Sequence, residues 1–284
     1  MYWQTLIFFA LTYVTLALSL NISAGYGRLL CLCQATFYGI GAYSVALLPM
    51  MMPSRSPARM YVLGVFVGIS ISAALGGLIS LLGDHLKEDY FLMSTFAFSE
   101  IAQEFIANSN WSGGNVGLRL KPLNMGGVEY VFVVSAGILM LVAFWICGRI
   151  ERSHFGLALI TFSVDESLST VLGNSSRSLR FQCMAVSAVL ATLAGCIVAP
   201  QLGYIHPAFF GVDESVLIFT MLTLGGLGSR YGVVLGAFVL AVVPSILTFF
   251  PIATRLDAPI RQIIYGLLLV VLMHLRPSGL IPNR

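Results

Sequence analysis

Long apolar runs, each close to the length of a bilayer crossing, constrain this chain more than any motif in it. A helix that spans the hydrocarbon layer needs about 20 mostly apolar residues. Eight segments approach that: Tyr2–Leu20, Leu29–Leu48, Tyr61–Leu82, Tyr90–Ile106, Glu129–Cys147, Phe181–Pro200, Val233–Phe250 and Ile260–Leu275. A ninth, Ser215–Leu224, is short and runs into Gly225-Gly226, so it reads either as a half-helix or as a span that ends on the glycines. Only 10% of the 284 residues are charged and 58% are hydrophobic, where a soluble domain carries about 25% charge. So few charges cannot cover a water-exposed surface, and lipid is the expected solvent. The expected fold class is all-α: a polytopic membrane protein with about 8–9 transmembrane helices, one of them broken or re-entrant, and a short cytoplasmic helix. Residues 1–284 read as a single membrane domain without a linker. Met1-Tyr2-Trp3-Gln4 holds no basic residue, so the first segment reads as a retained span, not a signal peptide.

Charge and chemistry exclude several functions. The net charge of +3 is too small, and its basic residues too dispersed, for a nucleic-acid binder. Cys31 and Cys33 are two apart, and Cys147, Cys183 and Cys196 lie in apolar runs, without zinc or redox spacing. They read as packing residues. Lys87 and Lys121 each follow a leucine, so no phosphate-binding loop is present. His85, His154, His206 and His274 form no HExxH, and no GxSxG occurs. No catalytic residue, metal site or cofactor site is expected in the chain, and the reading is not an enzyme. Energy for any uphill movement would come from a partner or from an ion gradient.

The longest interruption between spans, Gly148–Arg180, holds Arg149, Arg152, Arg177 and Arg180. Arginines in short loops favour the cytoplasmic side, which places the N-terminus outside. Within this insert, Ser153–Gly173 repeats apolar residues at Leu157, Ile160, Val164, Leu168 and Val171 with helical spacing. Gly173 would end that helix. The segment could dock in a groove on a soluble partner or lie flat on lipid.

Within the spans, Glu100 and Glu104 are one helical turn apart with Gln103 nearby, so they share a face. Ionisable groups at membrane depth are costly; this pair reads as a relay or path lining, or as a hydrogen-bonding group toward a neighbour helix. Gly228, Gly232 and Gly236, and likewise Gly64, Gly68, Ser72 and Gly76, recur every four residues, a spacing that lets helix backbones approach closely. Asn21–Gly27 (NISAGYG) and Ser112–Gly117 (SGGNVG) read as breaks. Non-helical backbone survives at membrane depth only inside protein or beside a wet cavity, which makes Asn21–Gly27 the stronger site candidate.

Five stretches in order carry a resemblance. They are Asn21-Ile22 with Gly25-Tyr26 and Gly39-Ile40-Gly41-Ala42-Tyr43; Asp89-Tyr90-Phe91 with Ser99-Glu100-Ile101; Gly113-Gly114; Tyr204-Ile205-His206-Pro207 with Gly225-Gly226-Leu227-Gly228-Ser229; and Tyr265-Gly266 through Arg276-Pro277-Ser278-Gly279-Leu280. Together they resemble the permease subunit of high-affinity branched-chain amino acid ABC transporters. The chain departs from that pattern at Arg28, Cys31, Cys33 and Gln34, where the family usually has Gly, Ser, Gly and His. The resemblance implies an import permease in the bacterial plasma (inner) membrane, paired with a second, related but different permease chain. It also implies two ATP-binding subunits, which hold the ATP, and an extracytoplasmic substrate-binding protein. Asn21, Gly25, Tyr26, Gln34 and Glu100 would then belong to the substrate pathway. Gly156, Asp165, Glu166 and Gly173, in the cytoplasmic coupling segment 149–180, would couple to the ATPase. Gly228, Gly232 and Gly236 would pack helices. Two alternatives stand beside this: an ion-coupled transporter or channel using Glu100, and the same permease type carrying urea or short amides.

Overall fold

A computed structural model describes residues 2–51, 57–83, 86, 88–120, 129–164, 166–171 and 173–247. Helix α1 (Tyr2–Leu20) passes without interruption into wider π turns over Asn21–Tyr26. Every residue from Val14 to Ala24 is buried. A helix that is apolar all round belongs in the middle of a bundle, and α1 holds that place, touching α5 (Glu129–Glu151), α8 (Ser176–Leu202), α9 (Val212–Gly225) and α10 (Arg230–Leu247).

The second layer is α2 (Gln34–Met51), α3 (Pro57–Leu82) and α8, packed against one another. Small residues set the spacing: a Cβ at Gly41 would strike the Thr192 carbonyl, and one at Gly195 the Tyr38 carbonyl. The α2 and α8 backbones therefore touch, where dispersion contacts replace the hydrophobic drive that lipid cannot supply. On α3, Gly64 and Gly68 face Ser44 of α2, and Gly76 faces Met184 and Ala188 of α8. On α10, Gly232 and Gly236 lie directly on the α9 backbone around Gly225. Gly228 instead sits in the turn between α9 and α10 with φ 80°.

Among the described residues, five helices are long and apolar enough to cross a membrane: Trp3–Tyr26, Arg59–Leu82, Tyr130–Glu151, Ser176–Leu202 and Pro207–Gly225. Helix α4 (Glu88–Asn108) has 21 residues but is not among them, because its acids and amide lower its hydropathy. The expected span Ile260–Leu275 and the motif through Leu280 lie outside the described residues.

Three local expectations are corrected. Asn21–Tyr26 stays helical, as π turns, and the chain leaves the helix at Gly27, ahead of residues 28–33. Consequently α2 starts at Gln34, not at Leu29. The insert forms two helices, α6 (His154–Val164) and α7 (Glu166–Val171), in place of one. Asp165, between them, lies outside the described residues. Ser112–Gly117 forms two short 3-10 turns with Gly113, Gly114 and Gly117 at positive φ. They lead into a short strand, β1 (Leu118–Arg119), paired antiparallel with β2 (Tyr204–Ile205), which ties that end of the bundle together.

Candidate functional site

Three groups of polar side chains join different helices of the bundle or mark its outer face. The first surrounds the π turns. Asn21 Oδ1 accepts the Gly228 N–H at 2.9 Å, so the turn between α9 and α10 hangs from α1. Gly25 allows this approach: a Cβ there would strike Asn21 Oδ1 and lie 2.8 Å from the Gly228 nitrogen. Gln34 donates to Ser19 Oγ, Ser187 Oγ donates to the Ser19 carbonyl at 2.7 Å, and Cys183 Sγ donates to the Ile22 carbonyl at 3.1 Å. Side chains of α8 thus bond one carbonyl just before the π turns and one within them, the Ile22 carbonyl also accepting the Gly27 N–H at 3.3 Å. Asn21, Ser23, Gln34 and Ser187 are all buried.

Beside this cluster two helices begin inside the bundle. Residues 28–33 bring the chain back to the level of Ser19, where α2 starts. A 3-10 turn over Pro207–Phe210 packs Phe210 against Tyr38 and Tyr43 and delivers α9 to the same level. Ser215 Oγ accepts the Ala35 N–H at 3.0 Å, joining the first turns of α2 and α9. Such ends leave backbone N–H groups free of intrahelical partners. Asp213 and Glu214 occupy the first turn of α9, the favourable end of the helix dipole for acids. The Glu214 carboxylate faces the Tyr13 hydroxyl of α1.

The second group closes the arginine-rich end. Tyr26 donates to Glu151 at 2.8 Å, and Glu151 pairs with Arg230 at 3.3 Å. Arg230 also lies over the Phe144 and Tyr231 rings. This half-buried cluster links the ends of α1, α5 and α10. Next to it, α6 starts against the end of α5: a Cβ at Gly156 would collide with the Ile150 carbonyl. Leu159 and Phe162 face the bundle, with Arg180 over the Phe162 ring at 5.0 Å. Leu157 and Ile160 point outward, 59% and 48% exposed. Leu157 and Ile160 of the apolar stripe thus face outward, and the inner face of α6 is made by residues between. Val171 on α7 is also exposed, and Gly173 follows at φ 85°, in the left-handed region that favours glycine.

The third group lies on α4. Its inner side is polar and paired within the chain: Thr95 Oγ1 accepts the Leu32 N–H at 3.1 Å, Ser99 bonds Thr36 at 2.9 Å, and Gln103 lies against Gly211. Its outer side carries Glu100 and Glu104, both exposed. Among the described residues no cation pairs with either; Glu104 accepts only from Asn108, at 3.1 Å. Glu100 lies eight residues before the end of α4, about 12 Å along the axis. Facing lipid at that depth would cost about 3 kcal/mol for an acidic side chain.

Of the residues expected in a pathway, Asn21, Gly25, Tyr26 and Gln34 converge around the π turns, and Glu100 stands apart on the outer surface of α4. Gly156 and Gly173 bracket the insert, and Glu166 lies on α7. Sequence reasoning missed Glu214, Ser187, and the Glu151–Arg230 pair with its Tyr26 link. Glu151 and Arg230 border apolar runs with opposite charge, which was the one legible signal.

A buried central helix, small-residue contacts between helices and purely apolar outward stripes, such as Val134, Ile138 and Leu141 on α5, define a multi-pass helical membrane protein. The chain belongs to the family described as branched-chain amino acid transport system / permease component, whose model matches residues 2–273. It is 28% identical over 303 aligned residues to the high-affinity branched-chain amino acid transport system permease protein LivM of Escherichia coli K12, covering 95% of this chain and 68% of that one. It is 26% identical to BraD, a permease protein of the same description from Pseudomonas aeruginosa, covering 95% and 91%. It is also 22% identical to LivH of Escherichia coli K12, again covering 95% and 91%. No solved structure matches it.

Proposed function

We propose that this chain is the transmembrane permease subunit of an ATP-driven importer for branched-chain or related amino acids. Separate subunits bind and hydrolyse the ATP, a second and related permease completes the conduit, and an extracytoplasmic protein delivers the substrate. The observation that carries this reading is the family match across nearly the whole chain, without a nucleotide motif in it. The arginine-rich end is the cytoplasmic face, in the bacterial plasma membrane, and the chain forms one membrane domain of eight to nine crossings, about the number its apolar runs suggest.

Helices α6 and α7 form the coupling segment. Leu157 and Ile160, held outward by buried Leu159 and Phe162, offer the ATPase an apolar surface. Movement of α6 reaches the core through Gly156 and the Tyr26–Glu151–Arg230 cluster. The π turns at Asn21–Tyr26 and the first turns of α2 and α9 border the pathway, and Glu100 does not belong to it. Nucleotide binding shifts it between two access states to the extent that the partners bind those states differently.

The chain reconstituted alone is expected to show neither uptake nor ATP hydrolysis, and uptake in vesicles containing only this chain would overturn the proposal. Gly156→Trp, which drives α6 off the Ile150 carbonyl, is expected to lower ATP-driven uptake at least tenfold while the helical spectrum is kept. Full uptake by this variant, with normal ATPase binding, would remove α6 from the coupling role.

A further inference from the structure

The outer face of α4 cannot be relieved by rotating the helix. Turning Glu100 and Glu104 inward would pull Thr95 and Ser99 from their partners on the 28–33 segment and α2, and Gln103 from Gly211. Nor can lipid tails satisfy the carboxylates, since they hold no hydrogen-bond donor. Flanking the acids, Met93, Ile101 and Phe105 are each more than 60% exposed. On the other flank of Ile101 and Phe105, a wholly apolar groove of about 530 Å³ opens between α2, α3 and α4. Its size suits inserted apolar side chains of a neighbouring helix. A face that combines two acids with apolar knobs and a groove is built for protein.

Which protein follows from position and charge. The face lies along a membrane helix, so a soluble ATPase or delivery protein does not reach it. Between Glu88 and Asn108 the sequence has no basic residue. A two-fold interface presents the same patch from both sides, so a second copy of this chain would set four carboxylates against one another. A different chain can bring donors to the same place. One organism, Escherichia coli K12, holds two permease proteins under the same transport-system description, LivM and LivH, and this chain is similar to both.

We propose that the outer face of α4, with Glu100 and Glu104, is covered in the assembled transporter by a second, related permease chain that supplies hydrogen-bond donors to both carboxylates. This rests on the reading of the chain as a permease subunit.

The test is site-directed spin labelling in membranes whose ATP-driven uptake is measured in parallel. The native Cys31, Cys33, Cys147, Cys183 and Cys196 are all buried and leave single introduced cysteines as the reactive sites. Ala97→Cys and Ile101→Cys probe α4; Ile138→Cys and Leu141→Cys probe α5. The α5 labels are expected to show the high oxygen accessibility of a lipid-facing site. The α4 labels are expected to show at least threefold lower oxygen accessibility, and photo-cross-linking from Ala97→Cys carrying a thiol-linked benzophenone, whose excited carbonyl inserts into a neighbouring C–H bond, is expected to yield a product with a different permease chain, identified by mass. If uptake is intact but the α4 labels match those on α5, or the product lies within one copy of this chain or joins two copies of it, the interface proposal falls and the permease reading stands. Absence of ATP-driven uptake in the presence of all partners would overturn both.

Discussion

Asn21 and Glu100 are both polar residues inside long helical segments of a lipid-embedded chain, yet the fold treats them in opposite ways. Asn21 is fully buried, and its carboxamide oxygen anchors the Gly228 N–H from the other half of the sequence. Glu100 is exposed, with no cation near it among the described residues. Polar groups in hydrocarbon must find partners. Around α1 the Asn21 oxygen, Ser19, Gln34 and Ser187 find them within the chain and so specify how its helices interlock, although the Asn21 amide nitrogen is buried without a partner among the described residues. Those on the outside of α4 find no cation among the described residues. Helix α5 supplies the reference case: its outward residues from Tyr130 to Trp145 are large and apolar, as lipid requires.

The comparison can be broken at several points. Gly25→Leu should have the largest effect, because its side chain strikes both Asn21 and the Gly228 backbone. We expect a loss of about 3 kcal/mol or more, read from thermal unfolding of the detergent-solubilised chain. Asn21→Leu removes the acceptor of the buried Gly228 N–H and should cost about 2 kcal/mol. An unchanged unfolding curve would show that the turn between α9 and α10 does not depend on it. Arg28 joins the two regions, since it starts the segment that α4 holds through Thr95, and it has φ 48°. Arg28→Gly should stabilise the chain by about 1 kcal/mol by relieving that left-handed backbone; destabilisation would mean that its bond to the Ser163 carbonyl outweighs the strain. Glu100→Leu should change the isolated chain by less than about 0.5 kcal/mol, the same as Leu141→Ala on α5. A drop like that of Asn21→Leu would show that Glu100 belongs to the internal network.

Much of the helical layout was legible because a spanning helix announces itself by length and apolarity alone. The starts of α2 and α9 were not. Leu29-Leu30-Cys31-Leu32-Cys33 reads as the opening of a span, and nothing local marks it as non-helical; its position depends on Thr95 of α4 and Ser23 of the π turns. Asn21–Gly27 was recognised as unusual by its glycines, but a break and a run of π turns share that signature. Glu214 escaped notice because it precedes a short apolar run and looks like a loop acid, whereas the fold draws it against Tyr13. In the insert, regular apolar spacing suggested one helix, and it gives no sign that the segment divides into α6 and α7 or of which face meets the bundle. The residues that do, Leu159 and Phe162, are outside the stripe.

Hydrophobicity along the chain by itself determined that this protein lives in lipid and that it is helical. Those are properties of each segment against its solvent, and need no knowledge of neighbours. Tertiary structure alone decided which polar residues became internal anchors and which were left facing outward. A hydrogen bond such as that between Asn21 and Gly228 joins positions far apart in the chain, and its geometry exists only once the helices have packed.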